Sequence, residues 1–285
     1  MTRQQKGLVF AHLAAVLFGM TGILGALIHS DATVITFGRA SFAFVSLFVV
    51  SLLLKNPPSK DLNNQLIRSL LFSGVLLAIH WGTFFYSIKV GGVAMATLGF
   101  ASFPAFITLI ERFVLHDKVS LRAWILVLVV MIGLFLVSPE LNLQNSNTEG
   151  LLWGILSGFS FGSLAVVNRT IGQRLHPVSI AFWQNLIVSC VTLPFLFIMP
   201  ISLSSSDVFW LAILGIICTA LSHFLFVSSV QYINARTTGL IISLEPVYAI
   251  LVAWILFNEE PTLKMFIGGA LIIGAAFYPQ EKPSE

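Results

Sequence analysis

Residues Phe84 to Ser120 read FFYSIKVGGVAMATLGFASFPAFITLIERFVLHDKVS, and residues Phe226 to Thr262 read FVSSVQYINARTTGLIISLEPVYAILVAWILFNEEPT. Laid over one another at an offset of 142, they place Pro104 on Pro246, Lys89 on Gln231, Asp117 on Glu259 and Ser120 on Thr262. Farther upstream, Phe18-Gly19 answers to Phe161-Gly162, and the stretch around Phe37-Gly38-Arg39 answers to that around Phe182-Trp183-Gln184. The chain of 285 residues is therefore expected to hold two copies of one unit, residues 1–143 and 144–285.

Both copies are strongly apolar. Hydrophobic residues make up 57% of the chain and charged residues 9%, against about 25% charged in a soluble domain. Mean hydropathy is +0.94. Such a chain could not cover a water-facing surface, which excludes a soluble enzyme, a nucleic-acid binder and a disordered regulator. Ten apolar runs can be read: Leu8–Ile28, Thr33–Leu54, Leu66–Ile88, Val93–Phe113, Leu121–Val137, Gly150–Ile171, Val178–Ile198, Val208–Val230, Thr237–Phe257 and Leu263–Tyr278. Each is close to the ~20 residues that span a bilayer as a helix. Helices satisfy every backbone polar group within their own segment, and the alternating pattern of barrel strands is missing. The expected fold is an all-α polytopic membrane protein, with ten transmembrane helices arranged as two five-helix repeats in one membrane domain. Five is odd, so the second repeat enters from the opposite side and the repeats are inverted. The first run follows Arg3 and Lys6; it is longer than a signal-peptide core and reads as a retained helix.

The breaks carry stop signals, among them Asn56-Pro57-Pro58, Gly91-Gly92, Ser138-Pro139 and His176-Pro177. Loop cations gather on one side, with only Lys89 and Lys264 on the other and Arg39 inside a run. By the positive-inside rule, both termini and the Lys55–Lys60 and Arg169–Arg174 loops are expected in the cytoplasm. The Glu140–Thr148 loop is then outside, and the location is the cell (inner) membrane.

Net charge is +3, too little for a basic nucleic-acid surface. The two cysteines, Cys190 and Cys218, lie in apolar runs, so neither a disulfide framework nor a zinc site is supported. No phosphate-binding loop, metal box or nucleophile elbow is present; no catalytic residue, metal or cofactor is expected.

Inverted repeats with a Pro-interrupted helix at matching places in each half point to a small-molecule site between them, near the membrane midplane. Pro104 and Pro246 are the expected hinges. Ionisable groups inside spans usually face a cavity or a partner. Arg39 sits six residues into the second run, ~9 Å from its outer end; it can snorkel or grip a carboxylate, and Gln184 answers to it in the other half. His80 and His223 lie ~10–12 Å deep in the third and eighth runs, at nearly matching places. Glu245 lies ~12 Å deep in the ninth, just before Pro246. His80, His223 and Glu245 are candidates for proton coupling, and Glu245 also for amine recognition. Trp81, Phe84, Phe100 and Trp153 are candidate aromatic walls.

On these features the sequence resembles the drug/metabolite transporter superfamily, EamA branch. The strings that carry the resemblance are Ala78-Ile79-His80-Trp81 with Phe84-Phe85, Ala101-Ser102-Phe103-Pro104, and Ser243-Leu244-Glu245-Pro246 with Glu259-Glu260. The resemblance covers essentially the whole chain. It implies a secondary transporter exporting amino acids or other small metabolites by alternating access. It also implies a central cavity lined by helices 1, 3, 4, 6, 8 and 9. The partners expected are a small-molecule substrate, the lipid bilayer and no nucleic acid, with a proton gradient (protons as a further partner) and substrate exchange as the two alternatives for driving transport. Helix 1 has no acidic residue, which argues against cation export on such a group, and a lone cavity Arg39 argues against a strongly anionic cargo. A channel or lipid scramblase is the alternative, though charged rings for a pore are missing. A membrane-embedded enzyme would need clustered catalytic groups.

Overall fold

The computed structural model describes residues 1–137, 145–198, 201, 203–242, 244–258 and 260–277. Most of the Glu140–Thr148 loop, Ser243, Glu259 and Lys282 fall outside these residues, as do the side chains of Arg236 and Pro246. Helix follows the apolar runs closely: α1 (Arg3–Leu27), α2 (Ala32–Leu53), α3 (Asn64–Phe100), α4 (Phe103–Phe113), α5 (Leu121–Val137), α6 (Ser146–Ile171) and α7 (Pro177–Leu196). Then come α8 (Ser205–Gly215), a π-helical turn (Ile216–Leu221), α9 (Ser222–Tyr232), α10 (Ala235–Ile242), α11 (Glu245–Phe257) and α12 (Leu263–Phe277). Among the described residues there is no strand. Six helices there are long and apolar enough to cross a membrane, α8 to α9 counting as one, and shorter apolar helices cover Leu121–Gly133 and Val247–Phe257.

The breaks have local causes. α3 is two helices meeting at a kink at Gly92, whose φ of 79° and ψ of 172° are non-helical; only glycine takes such a conformation without strain. Pro104 stands in the first turn of α4 and Pro246 in the first turn of α11. The missing N–H costs nothing there, because the first-turn donors of a helix have no intrahelical acceptor. Each proline therefore opens a new helix where the sequence had suggested a bend within one. Pro194 lies inside α7 near its end.

Two stripes of small residues bring helices together. Gly7, Ala11, Ala15 and Gly19 are buried along one face of α1; Gly150, Gly154, Gly158 and Gly162 run along one face of α6. Four-residue spacing puts each set on one side, where backbones can approach closely. Their contacts correspond. A Cβ on Gly19 would lie 2.7 Å from Tyr248 Cβ and 3.3 Å from Glu245 O. One on Gly162 would lie 3.1 Å from Phe106 Cβ and 3.0 Å from Phe103 O. Gly7 faces Tyr232 and Ile233, and Gly150 faces Gly91. The most extensive contacts are α3 on α6, α2 on α7, α5 on α12 and α1 on α9. Outward-facing Leu13, Val45, Phe48, Phe72, Phe209 and Ile255 are exposed, as a lipid-contacting surface would be.

Both ends of the bundle are tied across helices. At one end, Lys89 Nζ donates to Ile28 O at 2.6 Å, and the His29 N–H donates to Asp207 Oδ1 at 2.8 Å. At the other, Gln231 Nε2 donates to Gly172 O at 2.6 Å, and Arg174 Nη1 donates to Gln65 Oε1 at 3.1 Å. Arg169 pairs there with Glu111 at 3.3 Å and Asp117 at 3.5 Å.

Candidate functional site

Where α1, α2, α3, α6, α9 and α11 converge, one void is lined by Arg39, His80, Trp81, Phe84, Phe100, His223 and Glu245. Thr21 and the apolar Phe18, Leu77, Phe161, Leu164 and Phe226 complete the wall. The void is small, about 20 Å³, room for one or two waters. Trp153 and Gln184 are not among its lining residues. Trp153 Nε1 donates to Glu149 Oε1 at 3.3 Å, and its ring lies against Tyr86. Gln184 is fully buried elsewhere, its Nε2 donating to Ser73 Oγ at 2.7 Å and Asn168 Oδ1 at 2.6 Å.

Arg39 does not snorkel. It is 1% exposed and turned inward. Its guanidinium lies 4.0 Å over the Trp81 ring and 5.2 Å from that of Phe85, an arrangement that favours a cation on the aromatic face. Nε donates to Thr219 Oγ1 at 2.9 Å, while Nη1 is buried without a hydrogen-bond partner among the described residues. Glu245 is 3% exposed and opens α11, where the helix N-terminus favours a carboxylate. No ion pair joins Arg39 and Glu245, although both line the void.

The two histidines are fixed in opposite senses. Ser157 Oγ donates its single proton to His80 O at 3.0 Å, so the 2.7 Å contact with His80 Nδ1 must be donated by the ring. In the neutral ring that leaves Nε2 as an acceptor. Phe100 stacks on His80 at 5.0 Å, and Phe161 lies at 4.9 Å. For His223 the partner is Asn185, whose Nδ2 also donates to Ala181 O at 2.8 Å. That second bond fixes the amide, so the 3.1 Å contact makes His223 Nδ1 the acceptor. The proton is then on Nε2, which is buried without a partner among the described residues.

Beneath the charged groups Phe18, Phe100, Phe103, Phe161 and Phe226 pack ring on ring, with centroids from 4.9 to 6.4 Å apart. One turn beyond Phe226, at Val230, an open cavity of about 470 Å³ begins, lined also by Arg3, Arg169, Gln231 and Asn234.

An apolar wall with a few convergent polar groups is the usual form of a small-molecule site. The sequence matches the EamA-like transporter family over residues 5–138 and again over 148–278. The chain belongs to that family. It is a multi-pass membrane transporter and not an enzyme. An uncharacterized transporter of Archaeoglobus fulgidus is 27% identical over 92% of this chain and 91% of its own. An S-adenosylmethionine uptake transporter of Rickettsia prowazekii is 26% identical over 72% of this chain and 69% of its own. A solved crystal structure of a protein 16% identical in sequence shares the fold, with a TM-score of 0.73 over 95% of each chain.

Sequence reasoning had no means to select Phe18, Thr21, Leu77, Phe161, Leu164 or Phe226. Apolar residues are everywhere in these helices, and only packing shows which face inward.

Proposed function

We propose that this EamA-family protein is a secondary transporter exporting a small zwitterionic metabolite of the amino-acid class. The observation that carries the reading is the pairing, around one void, of an Arg39 guanidinium with a free Nη1 and a Glu245 carboxylate not paired to it. A cargo with one carboxylate and one amine would satisfy both, and the rings of Phe84, Phe100, Phe161 and Phe226 would hold its apolar part. His80 Nε2 and His223 Nε2–H offer an acceptor and a donor beside them. Glu245 is the proposed proton-coupling group, because each histidine is already committed to a protein partner through Nδ1. Transport proceeds by alternating access, residues 1–143 rocking against 144–285 as inverted repeats about Pro104 and Pro246. The correspondence of the Gly19 and Gly162 contacts supports the repeats. The broken and shorter helices complete ten crossings in the inner membrane, with both termini cytoplasmic on the distribution of Lys and Arg. The export direction rests on the family resemblance.

A second reading takes S-adenosylmethionine as cargo, moving inward. Relatives at 24–26% identity carry that name, and its sulfonium would suit a carboxylate among aromatic faces. Proteoliposomes loaded with the twenty amino acids and S-adenosylmethionine in equal amounts, followed by mass spectrometry of the efflux, separate the two. Loss of one or more amino acids, abolished by Arg39→Ala and made insensitive to pH by Glu245→Gln, is expected. Movement of S-adenosylmethionine alone establishes the second reading, and no movement of any of these compounds removes both.

A further inference from the structure

We infer that Thr219, presented by the π-helical turn Ile216–Leu221, is the positioning residue that aims the Arg39 guanidinium into the void. The inference rests on the reading of Arg39 as the group that receives the cargo's carboxylate. Arg39 stands on α2, in the first half of the chain, and Thr219 in the second. Their contact is therefore made between the two halves.

The hydroxyl of Thr219 has one proton, and that proton goes to Leu214 O at 2.6 Å. Oγ1 is thereby left as a pure acceptor, and it takes the Arg39 Nε–H at 2.9 Å. The reach is unusual. Thr21, Thr36, Thr97, Thr108 and Thr192 each bond back to the carbonyl four residues earlier, whereas Thr219 bonds back five. A π turn holds one more residue than the α turn it replaces, so it changes the rotational phase of every later residue in the helix. It brings Thr219 under Arg39, and such turns occur often at functional sites.

Three contacts then fix the guanidinium: Nε on Thr219, one face over Trp81 at 4.0 Å and Phe85 at 5.2 Å. With Nε held, Nη1 has a set direction and no acceptor among the described residues. A buried charged donor without an acceptor is unfavourable, and a cargo carboxylate relieves it. Without Thr219 the side chain has rotamers to spare, and the cargo must order it on binding. The effect therefore falls on half-saturation more than on maximal rate.

The test uses Thr219→Val, which keeps the shape and removes the acceptor, and Thr219→Ser, which keeps the acceptor. In proteoliposomes loaded with the twenty amino acids, half-saturation for each exported amino acid should rise about tenfold in Thr219→Val, a decade in affinity being ~1.4 kcal/mol. Thr219→Ser should restore it, and Thr219→Val should add little to Arg39→Lys. A second measurement needs no cargo. With Trp124, Trp153, Trp183, Trp210 and Trp254 replaced by Phe, emission comes from Trp81 alone. That emission should shift in Thr219→Val and return in Thr219→Ser. Unchanged emission, or a half-saturation within about twofold of wild type, overturns the inference. If the wild type moves no amino acid, the proposed cargo class fails, and the Trp81 emission still decides whether Thr219 positions Arg39.

Discussion

A methyl group placed on Gly99 should separate two helices that touch through their backbones. A Cβ there would lie 2.6 Å from Leu151 O, 2.9 Å from Gly154 Cα and 3.0 Å from Gly154 C. All three are backbone atoms of α6, so no side chain can turn away. Restoring ordinary contact at about 3.4 Å requires α3 and α6 to part by several tenths of an ångström along the most extensive interface of the bundle. Overpacking of this kind costs about 1–3 kcal/mol, partly offset by ~1 kcal/mol of improved helix propensity. Gly82 is the control: it is also helical, and a Cβ on it meets nothing within 4 Å. Gly82→Ala collects the propensity gain alone, so the two variants should differ by the whole overpacking term. For a chain of this size that is a difference in melting temperature of about 5 °C, read by fluorescence-detected size exclusion after heating in detergent. Equal melting temperatures for the two variants would refute the close approach of α3 and α6.

Three other outcomes are expected. Asp207→Ala removes the α8 capping box and the bond from the His29 N–H, which should destabilise by about 2 kcal/mol; in a Cys190→Ala background it should also speed labelling of the buried Cys218 by an impermeant maleimide added outside, and an unchanged rate would show that this end is not a closure. Cysteines at Lys60 and Asn145 test the topology, since only the second should react from outside and the reverse would overturn the assigned orientation. His176 Nδ1 accepts the Val178 N–H at the start of α7, which a protonated ring cannot do, and burial pushes its pKa below the usual 6.5. Its contribution is complete above that value and lost as pH falls toward the folded-state pKa, so His176→Asn should flatten this part of the stability–pH curve between pH 7 and 5.

The positions of the helices could be read because lipid admits few alternatives: an apolar run bounded by Pro, Gly and charge has almost nothing else to become. Gly91-Gly92 and the two prolines gave the breaks for the same reason. Arg39, His80, His223 and Glu245 could be picked out because ionisable groups are rare at that depth, and the structure sets all four around one void. Gln184 shows where repeat logic stops. Correspondence in sequence carries backbone position across the halves, but Ser73 of the first half and Asn168 of the second supply Gln184 with polar partners away from the void. Thr219 was out of reach for another reason. A constant 100° step along the run from Val208 to Val230 misplaces every residue after the π turn, and nothing in IICTAL announces that turn.

The seam between α3 and α6 sets Gly91 against Gly150 and Gly99 against Gly154, backbone on backbone. A contact between glycines has no side chains to interlock. At such points two helices can shift along one another without any change of rotamer, whereas interdigitated leucines would have to climb over one another. The stripes that hold this bundle together are therefore also the places where its packing resists displacement least.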